Sequence, residues 1–493
     1  MTRLLTRKRT RQIATIAIFT TLLLTMATVV RAAGGAELDR YGGWTGIQGE
    51  KTGFFHLEQI NGRHWFVTPD GNVFFPVALS HLYSGESDVA CQNVYGGDKD
   101  AWMKDSLARA RTMGFNCALG SATSPERNLN GFVEIPKVEA LFREDNFPFA
   151  VGVILLKHPW EFVEGEDLPD IFDPAYAEMI EARAKAACAP VKDDQLVMGY
   201  YYGFGAFNHS EIWVNQYLSL PAGSHGRNAI VDLLVTRYEN DVKKFNEVYG
   251  VSLNRITDLK RTEELVFDTR MERRNYAKVR SQLDPRQVED FEAILAHMAI
   301  TLYKTGYDAI RRWDSNHLIF GSFVKEFALS AETSKAMAPY VDMVAPQHIN
   351  KDISVHQLAE AASLPILISD DYFGWHYPGM DNRHAGLESH DARAEVYKAN
   401  LMRHYKDPQV LGVSYCACMF DQGGATLKKN NQNGLHDIHG NPRVKLIQAI
   451  TEMNHAVYSY APQPATPDEL KLLDIRLYDT WKRHLRGNTL WGH

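Results

Sequence analysis

The sequence predicts an α/β chain: a (β/α)8 TIM barrel with an N-terminal β meander and a long helical insertion after the fourth strand. Three observations carry this. Eight short apolar runs alternate with amphipathic segments. Neither G-x-G-x-x-G nor a P-loop follows the first run, as a doubly wound sheet would normally require. The run Pro365-Ile366-Leu367-Ile368 ends in two adjacent carboxylates, Asp370 and Asp371. A strand buried on both faces cannot carry two acids through its middle, so they belong at its C-terminal edge, the active face of a barrel.

The N-terminus suggests the compartment. Arg3, Arg7, Lys8, Arg9 and Arg11 precede an uncharged apolar run from Ile13 to Val30, and Val30-Arg31-Ala32-Ala33 offers small residues for cleavage. This is the layout of a secretory signal peptide over 1–33, so a secreted or periplasmic protein is expected. The membrane becomes a partner only if this segment is retained as an anchor.

Residues 34–75 form the expected meander. Asn61-Gly62 and Asp70-Gly71 each separate β-rich runs, and both turn positions favour residues that accept positive φ. The barrel is expected over 76–460. Its strands are Phe75–Leu79, Phe115–Leu119, Phe149–Leu155, Leu196–Tyr202, Leu318–Phe323, Met343–Pro346, Pro365–Ile368 and Val410–Tyr415. Amphipathic stretches such as Trp102–Met113, Tyr176–Ala187, Val288–Trp313 and Arg393–Tyr405 supply the helices. Residues 203–290 are too long for one loop and helix and read as an insertion over the barrel mouth, with helical pieces at Ala229–Tyr249 and Arg270–Arg280. The tail 461–493, with Leu470, Leu472, Leu473, Ile475, Leu477 and Trp481, reads as an amphipathic segment packed on the barrel.

Composition narrows the function. The net charge of −7 argues against a nucleic-acid partner, which favours a basic stripe. Five cysteines, an odd number, do not form a disulfide framework; Cys117, Cys416 and Cys418 lie in apolar runs and read as buried thiols. Oligomeric state is not encoded in any motif.

The strand ends carry the chemistry. Asp370, Asp371, Glu211 and Glu326 are candidate catalytic carboxylates. His81, Lys157, Tyr201, Tyr202, His209, Gln347, His348, Trp375 and His376 are candidate substrate-binding residues. Aromatic rings beside carboxylates and imidazoles suit a carbohydrate substrate, with acids serving as nucleophile, acid or base. Side chains alternate along a strand, so one of Asp370 and Asp371 faces the axis and the other makes structural hydrogen bonds. No H-x-H or H-E-x-x-H spacing links His81, His209, His348 and Asp370 into a metal site, and Cys416-Ala417-Cys418 is not a zinc spacing; neither metal nor cofactor is expected.

Several stretches, in this order, resemble glycoside hydrolase family 50, the β-agarases. They are Gly53–Glu58 with Gly62–Gly71, Val197–Tyr201, Arg237-Tyr238 with Asn246 and Tyr249-Gly250, His317–Ser322, Pro365–Asp370 with Phe373-Gly374, and Val410–Val413 with Phe420–Gln422. The resemblance implies a retaining (β/α)8 glycosidase acting on a galactan. It also implies an Asn-Glu pair ending the fourth strand, the Glu being general acid/base, and a nucleophilic Glu ending the seventh. Here the first place falls near Phe204-Gly205 and the second holds Asp370. Three functions therefore stand: a glycoside hydrolase with a rearranged carboxylate pair; a polysaccharide lyase using Tyr201, Tyr202, His209 or His348 as base and a cation such as Lys157; or a glycan-binding barrel without catalysis.

Overall fold

The computed structural model describes residues 30–31, 37–83, 88–120, 134–156, 169–203, 214, 217–261, 283–323, 330–347, 355–377, 386–423 and 432–487. The predicted leader, apart from Val30-Arg31, and the helical piece Arg270–Arg280 lie outside them.

The first six strands are β1 (Val30–Arg31), β2 (Glu37–Leu38), β3 (Trp44–Gln48), β4 (His56–Ile60), β5 (Arg63–Val67) and β6 (Asn72–Phe74). They form one antiparallel sheet in the order β1-β2-β3-β6-β5-β4. The β4–β5 hairpin turns at Asn61 and Gly62, whose φ of 54° and 76° are the positive values such a two-residue loop requires.

Parallel strands follow: β7 (Val77–His81), β8 (Phe149–Gly152), β9 (Val197–Tyr201), β10 (Leu318–Gly321), β11 (Ile366–Asp371) and β13 (Val410–Cys418), with the two-residue β12 (Gly386–Leu387) and β14 (Leu485–Arg486) paired apart. They fall into two sheets of three, β10-β9-β8 and β11-β13-β7, and neither closes on itself. Single parallel bridges extend them: Ala78 to Cys117, Ala118 to Phe149, and Val344 to Ile366. Among the described residues no β-bridge joins β10 to Val344. Instead the Asp342 amide donates to the Ile319 carbonyl at 2.8 Å, and the Ile319 amide to Asp342 Oδ2 at 2.6 Å. The fold is mixed α/β, with two of the expected strands reduced to bridges.

Alternate residues along the parallel strands enter two hydrophobic clusters. One face, with Val77, Val151, Tyr200, Ile319, Ile366 and Ile368, packs among the helices. The other, with Ala78, Ala150, Met198, Phe320, Leu367 and Leu411, also receives Tyr41, Phe55, Phe66 and Phe74 from the N-terminal sheet. Phe66 meets Phe320 edge-on at 5.8 Å, so that sheet covers the inner face.

Helix starts follow local rules. Asp173-Pro174 opens helix Pro174–Cys188 and Asp284-Pro285 opens helix Pro285–Trp313; each Asp accepts a backbone N–H of the first turn, and proline takes the position where an N–H would lack a partner. The expected helix Ala229–Tyr249 is two, His225–Arg237 and Val242–Tyr249, because Glu239 and Asn240 adopt left-handed backbone between them. Both are tied to the long helix by buried Asp290, which accepts from Arg237 Nε at 2.6 Å, Tyr238 Oη at 2.6 Å and Tyr249 Oη at 2.9 Å. The C-terminal helix Pro467–His484 packs against helix His390–Lys406, where Arg403 Nε donates to Asp474 at 2.7 Å. Of the six apolar residues expected to pack, Leu470, Leu473, Leu477 and Trp481 are half-buried, whereas Leu472 and Ile475 are exposed, because only the first four recur at the three- and four-residue spacing of one helix face.

Arg63 joins the N-terminal sheet to the parallel strands. Its guanidinium is buried and donates to the carbonyls of Tyr405 (2.6 Å), Val410 (2.7 Å) and Ala461 (3.3 Å), and it stacks over Trp65 and Phe75. Burial pulls its pKa down to about 10. Arg63→Met would strip three buried carbonyls of a charged donor. It is expected to cost about 2–4 kcal/mol, seen as a lowered urea midpoint; an unchanged midpoint would contradict the joint.

Candidate active site

Strict alternation along β11 would put Leu367, Ser369 and Asp371 on the inner face and Asp370 among the helices. The structure reverses the last step. Between Ile368 and Asp371 the β11 register slips: Ile368 pairs with Val413 and Asp371 with Tyr415, so β11 carries one residue more than β13. A bulge of this kind re-aims the side chains beyond it. Asp371 consequently points to helix His390–Lys406. There it accepts a short hydrogen bond from Asn400 Nδ2 and lies 3.1 Å from His404 Nε2. Asp370 turns the other way, with Oδ1 3.8 Å from His81 Nε2.

A second slip shapes the neighbouring strand. Tyr415 pairs with Leu79 and Cys418 with His81, so β13 carries an extra residue over β7. Cys416 is thereby set beside His81, Sγ to Nε2 3.4 Å. The sequence reading made Cys416 a buried thiol like Cys117 and Cys418; it is instead partly exposed at the strand end. Asp370 Oδ1 has no hydrogen-bond partner among the described residues, although its side chain is only 10% exposed. Most buried polar atoms have a hydrogen-bond partner, so an exception at a strand end calls for an explanation.

Buried Arg393 braces the segment beyond β11. It donates to Tyr415 Oη at 2.7 Å and to the carbonyls of Asn433 at 2.7 Å and Gly434 at 3.2 Å. Asn433 in turn donates to Tyr372 Oη at 3.0 Å and accepts the Trp375 amide at 2.7 Å. Asp421 ties down the same loop, accepting from the Gly434 amide at 2.8 Å and from Arg443 at 2.7 Å; burial raises its pKa despite the arginine.

The remaining candidates divide. Trp375 and His376 are half-buried after β11, and Trp375 packs against His390 with centroids 4.6 Å apart and the rings tilted by 49°. Gln347 is buried beside β11, its carbonyl accepting the Asp370 amide at 3.3 Å. Tyr201 is committed to the interior: its hydroxyl donates to the Gly120 carbonyl at 2.7 Å and its ring stacks on Phe323. Tyr202 faces helix Pro285–Trp313, close to Tyr303 and Gly306, and burial raises its pKa well above the ordinary value. Lys157, His209, Glu211, Glu326 and His348 lie outside the described residues. Sequence reasoning missed Cys416 as a neighbour of Asp370, and Arg393, Asn433 and Tyr372 as the brace of the segment beyond β11.

Among solved structures, an exo-β-agarase matches 87% of this chain and 68% of its own, with TM-score 0.69 and 17% identity. The fold is that of the agarases. A second agarase matches with TM-score 0.66 and 18% identity over 86% of this chain and 68% of its own. In sequence, the chain is similar to β-agarase B of Vibrio sp. (strain JT0107), 24% identical over 85% of this chain. It spans about half the length of that curated relative, 50%. No family model matches the sequence. The agarase-like resemblance read from the strand motifs is thus met in both sequence and fold.

The opposed settings of the two acids give a stability test. Asp371→Ala would leave Asn400 and His404 without their carboxylate and is expected to lose about 1–3 kcal/mol. Asp370→Asn removes a buried charge whose Oδ1 takes no hydrogen bond and is expected to hold or raise Tm. Thermal melts of the two variants check this; equal destabilisation would contradict the assignment.

Proposed function

We propose that the chain is an exported glycoside hydrolase acting on a galactan-type polysaccharide or its oligosaccharides, with Asp370 as one reacting carboxylate. The observation that carries the reading is the unpartnered Asp370 Oδ1, turned to the inner side of a strand end in an agarase fold. A carboxylate that attacks or activates water needs an oxygen not already spent on structural hydrogen bonds.

The parallel strands are read as a closed eight-membered ring, since pairings and bridges lead from β7 through Cys117, β8, β9, β10, Val344, β11 and β13 back to β7. The one step without a bridge is supported by the Asp342–Ile319 hydrogen bonds. In this organisation 34–75 forms the floor, 76–460 the barrel with the insertion 203–290, and 461–493 the outer tail. Glu211 and Glu326 follow the fourth and fifth strands and remain the candidates for the second carboxylate. A partner on the order of 6.5–9.5 Å from Asp370 would give inversion, and one about 5–5.5 Å away retention. Export rests on the basic and apolar N-terminal segment. Among the described residues no helix is long and apolar enough to cross a membrane.

The lyase reading loses its phenols. A general base must reach its proton and titrate near the working pH. Tyr201 spends its hydroxyl on Gly120, and Tyr202 lies on the helix side with its pKa driven up by burial.

Incubation with agarose and related galactans is expected to release reducing ends without unsaturated, ultraviolet-absorbing products. Asp370→Asn should lower the rate roughly 10²–10⁴-fold, the span typical of a lost acid or base. Only unsaturated products, or full activity in Asp370→Asn, would overturn the reading.

A further inference from the structure

The strand ends hold one cluster that glycoside cleavage leaves unexplained. His81 Nε2, Asp370 Oδ1 and Cys416 Sγ all lie within 4.8 Å of one another. They come from β7, β11 and β13, three adjacent strands. Nε2 stands 3.4 Å from the sulfur and 3.8 Å from the carboxylate oxygen. A thiol–imidazole–carboxylate relay needs both ring nitrogens, one for the nucleophile and the other for the acid. Here thiol and carboxylate approach the same nitrogen, so the three groups converge instead of forming a chain.

Convergence of this size is coordination geometry. Around a tetrahedral zinc, with Zn–S ~2.3 Å and Zn–N or Zn–O ~2.0–2.2 Å, donor atoms stand about 3.3–3.6 Å apart. The two separations from His81 Nε2 need shifts of only a few tenths of an ångström, and the sulfur and the carboxylate oxygen, which lie within 4.8 Å of each other, close on the ion by about 1.5 Å at most. The orientation of Oδ1 is the independent sign that the cluster suits a cation: it is buried, it faces the other two donors, and no hydrogen bond satisfies it. One sulfur, one imidazole and one carboxylate suit a borderline-soft ion of the zinc class and not magnesium or calcium, which take oxygen ligands.

We propose that His81, Asp370 and Cys416 form a three-ligand site for a thiophilic divalent cation, with the fourth position left to water. On binding, the Cys416 thiol gives its proton to solvent and ligates as thiolate. His81 ligates as neutral imidazole through Nε2, and Asp370 through Oδ1. Metal and glycoside then compete for one carboxylate, so the filled site is a resting state reversed by a chelator. The site stands on the geometry around Asp370 and does not depend on the hydrolase reading.

Cobalt(II) titration of the full chain without glycan tests it. One cobalt per chain is expected, with a near-ultraviolet thiolate-to-cobalt charge-transfer band that zinc abolishes. Cys416→Ser should lose the band, and Cys91→Ser, altered at a buried thiol outside the cluster, should keep it. His81→Gln, which retains the thiol, should weaken binding at least about tenfold; it serves if Cys416→Ser proves misfolded by circular dichroism. No band in the wild type, an undiminished band in Cys416→Ser, or unchanged affinity in His81→Gln would each overturn the site. Because no sugar is present, this result and the reducing-end assay can fail separately.

Discussion

The extra residue in β11 is the constraint on which the site depends. A regular strand would send Asp370 outward to the helices and Asp371 inward. The register slip after Ile368 exchanges them. Each acid then meets a setting suited to one task. Asp371 joins Asn400 and His404 and fastens β11 to helix His390–Lys406. Asp370 keeps an oxygen unpaired. A bulge at a strand end is inexpensive where the ladder is finishing anyway, and it steers a side chain without altering the core below.

The opposite end of the strands is organised to be closed. Phe55, Phe66 and Phe74 fill the inner face from beneath, and Arg63 ties that sheet to the carbonyls of Tyr405, Val410 and Ala461. Beyond β11, buried Arg393 takes a comparable role, joining Tyr415 to the Asn433–Gly434 backbone, which in turn holds Tyr372 and Trp375. Both arginines act through planar, multiple donation to oxygen acceptors, which a lysine could not reproduce. A rigid floor and a braced rim leave the strand ends as the place where chemistry-bearing groups gather.

Much of the architecture was legible in the sequence. The Asn61-Gly62 turn and the apolar runs of β9, β10 and β11 are local signals, and local signals survive folding. Two strands shrank to bridges because Phe115–Leu119 and Met343–Pro346 each offer few paired residues. The helix over 229–249 was misread as continuous because nothing in its periodicity marks the left-handed pair Glu239-Asn240. The site was legible only in part. Asp370 and His81 stood out as polar residues ending apolar runs. Which aspartate faces inward could not be read, since it turns on pairing between strands some forty residues apart. Cys416 was missed for the same reason: its partners come from β7 and β11, and no spacing within one segment records them.

The direct measurement of the central claim is chemical rescue. Replacing the reacting carboxylate by alanine leaves a space that a small anion can enter. Azide added to Asp370→Ala should restore galactan cleavage and yield a glycosyl azide, while Asp371→Ala should gain nothing from it. Rescue of Asp371→Ala, with Asp370→Ala left inert, would show that the bulge does not direct Asp370 to the sugar.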